Sequence, residues 1–156
     1  MPKNKEIVLI IHNVRSALNV GSMFRTADGV GVSKIYVCGY SPTPDHPKVA
    51  KTSLGAEKTV PWEQHRQTWR LLEKLRASSF QLLALEQAKK SKNIFKLKAL
   101  SPKPLALLVG NEVRGLSQQI LKYCDAVVDI PMYGKKESLN VSVAAGIALY
   151  ALKNSS

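Results

Sequence analysis

Short apolar runs punctuate this chain at regular intervals. Residues 6–11 (EIVLII), 34–38 (KIYVC), 80–85 (FQLLAL), 104–109 (PLALLV) and 126–130 (AVVDI) are of strand length and rich in Val, Ile and Leu. Segments with helical spacing lie between them. Residues 19–28 start at Asn19, a possible N-cap, and place Val20, Met23, Phe24 and Ala27 on one face with Arg25 in the middle turns. Residues 63–78 read as an amphipathic helix with Trp69, Leu72 and Leu75 inward and Arg66, Arg70, Lys74 and Arg76 outward. A short helix is expected over 116–123. Residues 140–152 are apolar almost all round, with Asn140 as N-cap and small side chains at Ala144, Ala145, Gly146, Ala148 and Ala151. Such a helix is either the core helix of a monomer or one covered partly by a second subunit.

This alternation predicts an α/β fold, a single domain with a mostly parallel sheet flanked by helices. Two strand ends fall close together in the last third, at Gly110 and before Pro131, and each leads through a polar, glycine-containing loop into a helix. Open α/β sheets bind ligands at the carboxyl ends of their strands, so these loops are the candidate pocket. The proline-rich stretch 39–53 reads as one long connection, and 87–98 as a polar segment carrying Lys89, Lys90, Lys92, Lys96 and Lys98. No internal repeat or domain boundary is visible in the 156 residues, which are taken as one domain over 1–156.

Charge changes the picture most. Lys and Arg number 23 against 11 Asp and Glu, a net charge of +12. That excess in a small domain is the footprint of a phosphate-backbone binder. No basic amphipathic helix with a strong apolar face suggests a membrane surface instead, and no apolar run approaches a membrane span. The amino terminus lacks the apolar region of a secretory signal, so a cytoplasmic protein is expected. Cys38 and Cys124 are lone cysteines without metal or redox spacing, and His12, His46 and His65 are scattered, so no metal site is expected. Gly29-Val-Gly31 follows a helix rather than a strand, and Gly134-Lys135 lacks the glycine a phosphate loop needs at 129, where Asp129 stands. Both departures exclude the common dinucleotide and phosphate-loop motifs.

Three segments carry a family resemblance: Asn19-Val-Gly-Ser-Met-Phe-Arg25-Thr-Ala, Leu108-Val-Gly-Asn-Glu112-Val-Arg-Gly-Leu, and Ile130-Pro-Met-Tyr-Gly-Lys-Lys-Glu-Ser138-Leu-Asn140-Val-Ser-Val-Ala. Together, in this order, they resemble the SpoU (TrmH-like) branch of the SPOUT family of RNA 2′-O-ribose methyltransferases, over residues 7–152. The resemblance implies S-adenosylmethionine as cofactor, tRNA or rRNA as substrate, a homodimer, and a C-terminal trefoil knot. Knots are nearly absent from proteins, and periodicity alone would not suggest one. No added RNA-binding domain is expected at either end. Carried over by position, the resemblance assigns the cofactor loops to Leu85, Glu86, Gly110, Asn111, Ile130, Met132, Ser138 and Leu139. It assigns the catalytic roles to Arg25, Asn19, Glu112 and Asn140.

Methyl transfer from a sulfonium to a ribose hydroxyl requires in-line alignment, help in losing the hydroxyl proton, and stabilisation of the developing alkoxide. Arg25 corresponds to the arginine that the family is held to use catalytically, sometimes as a base. A guanidinium stays charged at any ordinary pH, so a phosphate clamp and alkoxide stabiliser is the expected role. Asn19 either caps its helix or orients the Arg25 loop or the ribose. Glu112 is expected to fix Arg25 or the cofactor loop by charge-assisted hydrogen bonds, and Asn140 to cap its helix while facing the reacting centre. Arg15, Lys48, Lys51 and Arg114 are the expected RNA contacts. An RNA-binding module that keeps the fold without catalysis is the alternative from a different class.

Overall fold

Among the described residues, 5–97 and 102–155 of this computed structural model, seven strands pair in one sheet, every pair parallel. In chain order they are β1 (Ile7–His12), β2 (Lys34–Cys38), β3 (Trp62–His65), β4 (Gln81–Leu85), β5 (Lys92–Asn93), β6 (Leu105–Val109) and β7 (Ala126–Asp129). Their spatial order is β3-β2-β1-β6-β4-β7-β5. The helices are α1 (Ala17–Val30), α2 (Pro47–Ser53), α3 (Thr68–Ala77), α4 (Gln118–Leu121) and α5 (Val141–Asn154).

Side chains alternate across a strand, so each central strand feeds both faces of the sheet. Ile7, Leu9 and Ile11 meet Met23, Phe24 and Ala27 of α1 and Ala145, Ala148, Leu149 and Leu152 of α5. Val8 and Ile10 face the other way, into a layer with Leu71, Leu72 and Leu75 of α3 and Ile120 of α4. Burial on both faces explains why β1 and β6 read as unbroken apolar runs. Phe24 is fully buried; truncating such a side chain to alanine costs about 3–5 kcal/mol.

Several boundaries differ from the sequence reading. α1 starts earlier than Asn19, because Ser16 is the N-cap and its Oγ accepts the Asn19 amide at 3.2 Å. The expected helix over 63–78 is two elements. Trp62–His65 pairs with β2 as an edge strand, and the helix begins only at Thr68. Leu71 takes the inner place expected of Trp69, which is 39% exposed. The connection 39–53 contains α2, capped by the His46 side chain with Pro47 in its first turn. The polar stretch after Gln87 holds β5 and a 3-10 turn over Ile94–Lys96, with Ile94 buried; Lys98 lies outside the described residues.

The small residues of α1 and α5 serve helix contacts within the chain. α2 crosses α1 so closely that a Cβ on Gly21 would lie 2.2 Å from the Val49 carbonyl oxygen. Thr52 Oγ1 donates to the Leu18 carbonyl at 2.8 Å across the same contact. α5 is not enclosed on all sides: Val143 is 51% and Tyr150 48% exposed, opposite its buried stripe. Cys38 and Cys124 are free thiols whose pKa is pushed up to about 12 by burial. Among the described residues, no helix is long and apolar enough to cross a membrane, and no His, Cys, Asp and Glu cluster could hold a metal.

Candidate active site

β6, β4 and β7 are adjacent in the sheet, so their carboxyl ends open side by side. The loops that follow enclose a cavity of about 210 Å³. Leu85, Glu86 and Gln87 come from the end of β4, and Val109 through Val113 with Gly115 from the end of β6. Asp129, Ile130, Ser138, Leu139, Asn140, Val141 and Ala144 complete the wall from β7 and the start of α5. Seven of the eight residues expected at the cofactor loops line this cavity, namely Leu85, Glu86, Gly110, Asn111, Ile130, Ser138 and Leu139; Met132 does not.

The loop after β6 is closed by a backbone bridge between Asn111 and Gly115 and held further by side chains. Asn111 Oδ1 accepts the amides of Val113 and Arg114, and its Nδ2 donates to the Asn13 carbonyl and the Tyr40 hydroxyl. Glu86 reaches from β4 to accept the Leu116 amide at 2.8 Å. Gly115 has φ +64°, and a Cβ there would stand 2.2 Å from Glu86 Oε2, so both conformation and space call for glycine. Gln87 Nε2 donates to the Ile130 carbonyl at 2.8 Å and ties the β4 loop to the β7 loop. Asp129 is held by the Ser91 hydroxyl.

A second network joins the three sequence motifs. Glu112 accepts the amides of Arg15 and Ser16 at 2.9 and 2.8 Å, and the Asn19 side-chain amide at 3.3 Å. Burial alone would raise the Glu112 pKa, but these hydrogen bonds outweigh it and leave the carboxyl below its ordinary value. Asn140 Nδ2 donates to Asn19 Oδ1 at 3.2 Å, while Asn140 Oδ1 caps α5 through the amides of Ser142 and Val143. Glu112 therefore fastens the start of α1 to the cavity rim. Of the two partners expected for Glu112, Arg25 or the cofactor loop, Arg25 is not among those it bonds.

Arg25 is exposed on α1 and lies outside the wall of this cavity. Arg15, Lys48, Lys51 and Arg114 are exposed too: Arg15 before α1, the two lysines on α2, and Arg114 at the tip of the β6 loop. Gln87, Asp129 and Tyr40 escaped the sequence reading. Gln87 and Asp129 flank strand ends already marked as pocket-forming, which is the signal that would have found them. Tyr40 had no such signal, since its partner Asn111 is distant in sequence.

Charge distinguishes the cavity from the rest of the molecule. Its wall contains Glu86, Glu112 and Asp129 and no lysine or arginine, in a chain of net charge +12. Three carboxylates repel a nucleotide phosphate and suit a cation. Leu85, Val109, Ile130, Leu139, Val141 and Ala144 provide apolar surface beside them.

The model of the SpoU rRNA Methylase family matches residues 6–150. The chain belongs to that family. It is 34% identical over 149 residues to a protein named tRNA (guanosine(18)-2'-O)-methyltransferase of Aquifex aeolicus, covering 95% of this chain and 69% of that one. It is 30% identical to the 23S rRNA (guanosine-2'-O-)-methyltransferase RlmB of Neisseria meningitidis, covering 92% of this chain and 56% of that protein. An AdoMet-bound rRNA methyltransferase from Sinorhizobium meliloti superposes with a TM-score of 0.88 at 30% identity, covering 96% of this chain and 56% of the other. A structure described under the 2-OH methylation of C/U34 on tRNA superposes at 0.82 with 25% identity, covering 94% and 93%. The chain thus spans 53% to 69% of the length of the first three curated relatives.

The cavity fits the cofactor that membership implies. S-adenosylmethionine carries a sulfonium, an ammonium and one carboxylate, and so enters as a cation. The acidic wall meets that charge, the aliphatic side chains can flank an adenine ring, and no basic group is present to hold phosphate.

Proposed function

We propose that this chain is an S-adenosylmethionine-dependent RNA methyltransferase that methylates a ribose 2′-hydroxyl of tRNA or rRNA. The observation that carries the reading is an acid-lined cleft, built where the three family motifs interlock, in a strongly basic domain. The relatives named above are described as acting on tRNA and on rRNA.

In this reading the cofactor supplies an electrophilic methyl group. The ribose oxygen bonds to that carbon as the carbon–sulfur bond breaks toward sulfur, and the hydroxyl proton leaves to water. The protein's contribution is placement and charge. Glu112 and Asn19 fix the start of α1 against the rim, and Asn140 fixes the start of α5, so the groups around the reacting centre are ordered before RNA arrives. Arg25 clamps the neighbouring phosphate and stabilises negative charge on the ribose oxygen.

Arg25 lies outside the wall of its own cavity, beside the face that α1 and α5 leave uncovered. Leu18, one heptad before it, is 46% exposed, and Val143 and Tyr150 extend the apolar surface. A second copy of the chain seated on this face would make a homodimer and bring each Arg25 toward a subunit boundary. The chain serves as a single domain, its C-terminal part forms the trefoil knot, and its RNA substrate implies a cytoplasmic location.

The test is to incubate the protein with methyl-labelled S-adenosylmethionine and RNA, then hydrolyse the product with alkali. A methylated ribose oxygen blocks cleavage at that nucleotide, so label should survive in alkali-resistant dinucleotides. Label in mononucleotides or free bases would contradict ribose methylation.

A further inference from the structure

Because the strands are parallel, all their carboxyl ends lie along one edge of the sheet. The cofactor cleft occupies the part over β6, β4 and β7. His12, Cys38 and His65 stand in register at the ends of β1, β2 and β3 and mark the other part. Two aromatic side chains there are exposed, Tyr40 at 58% and Trp69 at 39%.

Neither ring belongs to a loose surface loop. Tyr40 follows β2; its amide donates to Asn13 Oδ1 at 3.1 Å, and its hydroxyl accepts from Asn111 Nδ2 at 2.8 Å. Asn111 lines the cleft, so the ring is fastened to the rim by its polar end while its face stays open. Trp69 stands in the first turn of α3, next to the buried Thr68, whose Oγ1 is 2.6 Å from His12 Nδ1. That bond pins the start of α3 to the end of β1. The Arg70 guanidinium lies 5.2 Å from the centre of the Trp69 ring. Arg15 and Arg66, at the ends of β1 and β3, are exposed along the same edge. With a strand spacing of about 4.8 Å, the end of β2 lies roughly 10 Å from that of β6.

We infer that this part of the edge is a track for single-stranded RNA, in which Tyr40 and Trp69 stack bases while Arg15, Arg66 and Arg70 hold phosphates. The track rests on the methyltransferase reading, and it leads a strand away from the cleft toward β3. Held aromatic faces interleaved with arginines match what unpaired nucleotides require: every base has a stacking face, and every linkage an anionic phosphate. A buried apolar partner would leave the arginines without counter-charge, which favours RNA over protein as occupant.

The experiment measures binding of the full chain to a short single-stranded RNA carrying 2-aminopurine, by fluorescence quenching, beside binding of S-adenosylmethionine. Tyr40→Ala and Trp69→Ala should each weaken RNA binding by about 5- to 100-fold, the range for loss of one stacked base. Affinity for S-adenosylmethionine should stay at the wild-type value in Trp69→Ala, and Tyr40→Phe, which keeps the ring, should bind RNA nearly as wild type does. RNA affinity unchanged in both alanine variants overturns the track, as does loss of S-adenosylmethionine and RNA binding together in Trp69→Ala. Labelled methyl transfer by the same proteins separates the two readings. Transfer by wild type with RNA affinity insensitive to both rings leaves the methyltransferase standing and the track wrong. Ring-dependent RNA binding without transfer to tRNA or rRNA upholds the track and overturns the enzyme.

Discussion

Over β6, β4 and β7 the carboxyl edge of the sheet opens into a cleft walled by Glu86, Glu112 and Asp129, whereas over β1, β2 and β3 the same edge exposes Tyr40, Trp69, Arg15, Arg66 and Arg70. One set of parallel strands therefore presents two surfaces of opposite sign within a few strand widths. The negative part is concave and suits a small cation; the positive part is open and suits a polyanion. A methyltransferase needs both at once, because its methyl donor is cationic and its acceptor is a chain of phosphates. Keeping the lysines and arginines off the cleft wall prevents the RNA backbone from competing for the cofactor's place.

Ionic strength separates the two surfaces most sharply. With six or more phosphates neutralised, affinity for tRNA should fall by about 10³-fold or more between low and physiological salt, in a filter-binding or anisotropy titration. S-adenosylmethionine, with one net charge in an enclosed site, should lose far less over the same range. A flat RNA titration would remove the basis for the positive surface.

Gly115→Ala strikes the cleft without touching the track. It forces a left-handed conformation on alanine and drives a Cβ into the Glu86 carboxylate. The expected cost is about 1–3 kcal/mol, read as a lowered thermal midpoint and weakened S-adenosylmethionine binding with RNA affinity retained. If the variant bound cofactor normally, the Glu86 anchor of the β6 loop would not shape the site.

Glu86→Gln removes one negative charge while keeping an oxygen that can accept the Leu116 amide. Binding of S-adenosylmethionine should weaken by about tenfold, an estimate for one partly screened charge contact. S-adenosylhomocysteine lacks the sulfonium charge and should be affected less. Equal losses for both ligands in calorimetry would mean that the acidic wall does not read charge.

The smallest effect concerns acid stability. The hydrogen bonds to Glu112 favour its ionised form, so their stabilisation is present above the unfolded-state pKa of about 4.3 and is lost as pH falls through the lower folded-state value. Thermal midpoints should decline on acidification through this window, and Glu112→Gln should flatten part of the decline. An unaltered pH profile in the variant would contradict the assigned role of the carboxylate.

Much of this architecture was readable from local pattern. The strands at 6–11, 34–38, 80–85, 104–109 and 126–130 stand out as short apolar runs, most plainly 6–11 and 104–109, where burial on both faces favours Val, Ile and Leu. Asn140 was recognisable as a cap because its partners, the amides of Ser142 and Val143, are its neighbours in sequence. Glu63–His65 suits the start of a helix by its polar composition; its strand pairing is decided by β2, not by its own residues. Trp69 shares helical spacing with Leu72 and Leu75, but α3 turns Leu71 inward in its place. The Glu112 contacts were equally out of reach, since they span 93 to 97 positions. Local rules mark where elements run and which residues the chemistry needs. They do not say which side chain from another loop will hold each one.

The most direct test of the account is methyl transfer from labelled S-adenosylmethionine to total tRNA and, separately, total rRNA, with wild type beside Arg25→Ala. The account predicts label in one RNA pool with wild type and a loss of about 10²-fold or more in the variant, while both proteins bind S-adenosylmethionine equally. A wild-type protein that binds RNA but neither binds S-adenosylmethionine nor labels either pool would contradict it, and would identify the chain as an RNA-binding module that has kept the fold without the reaction.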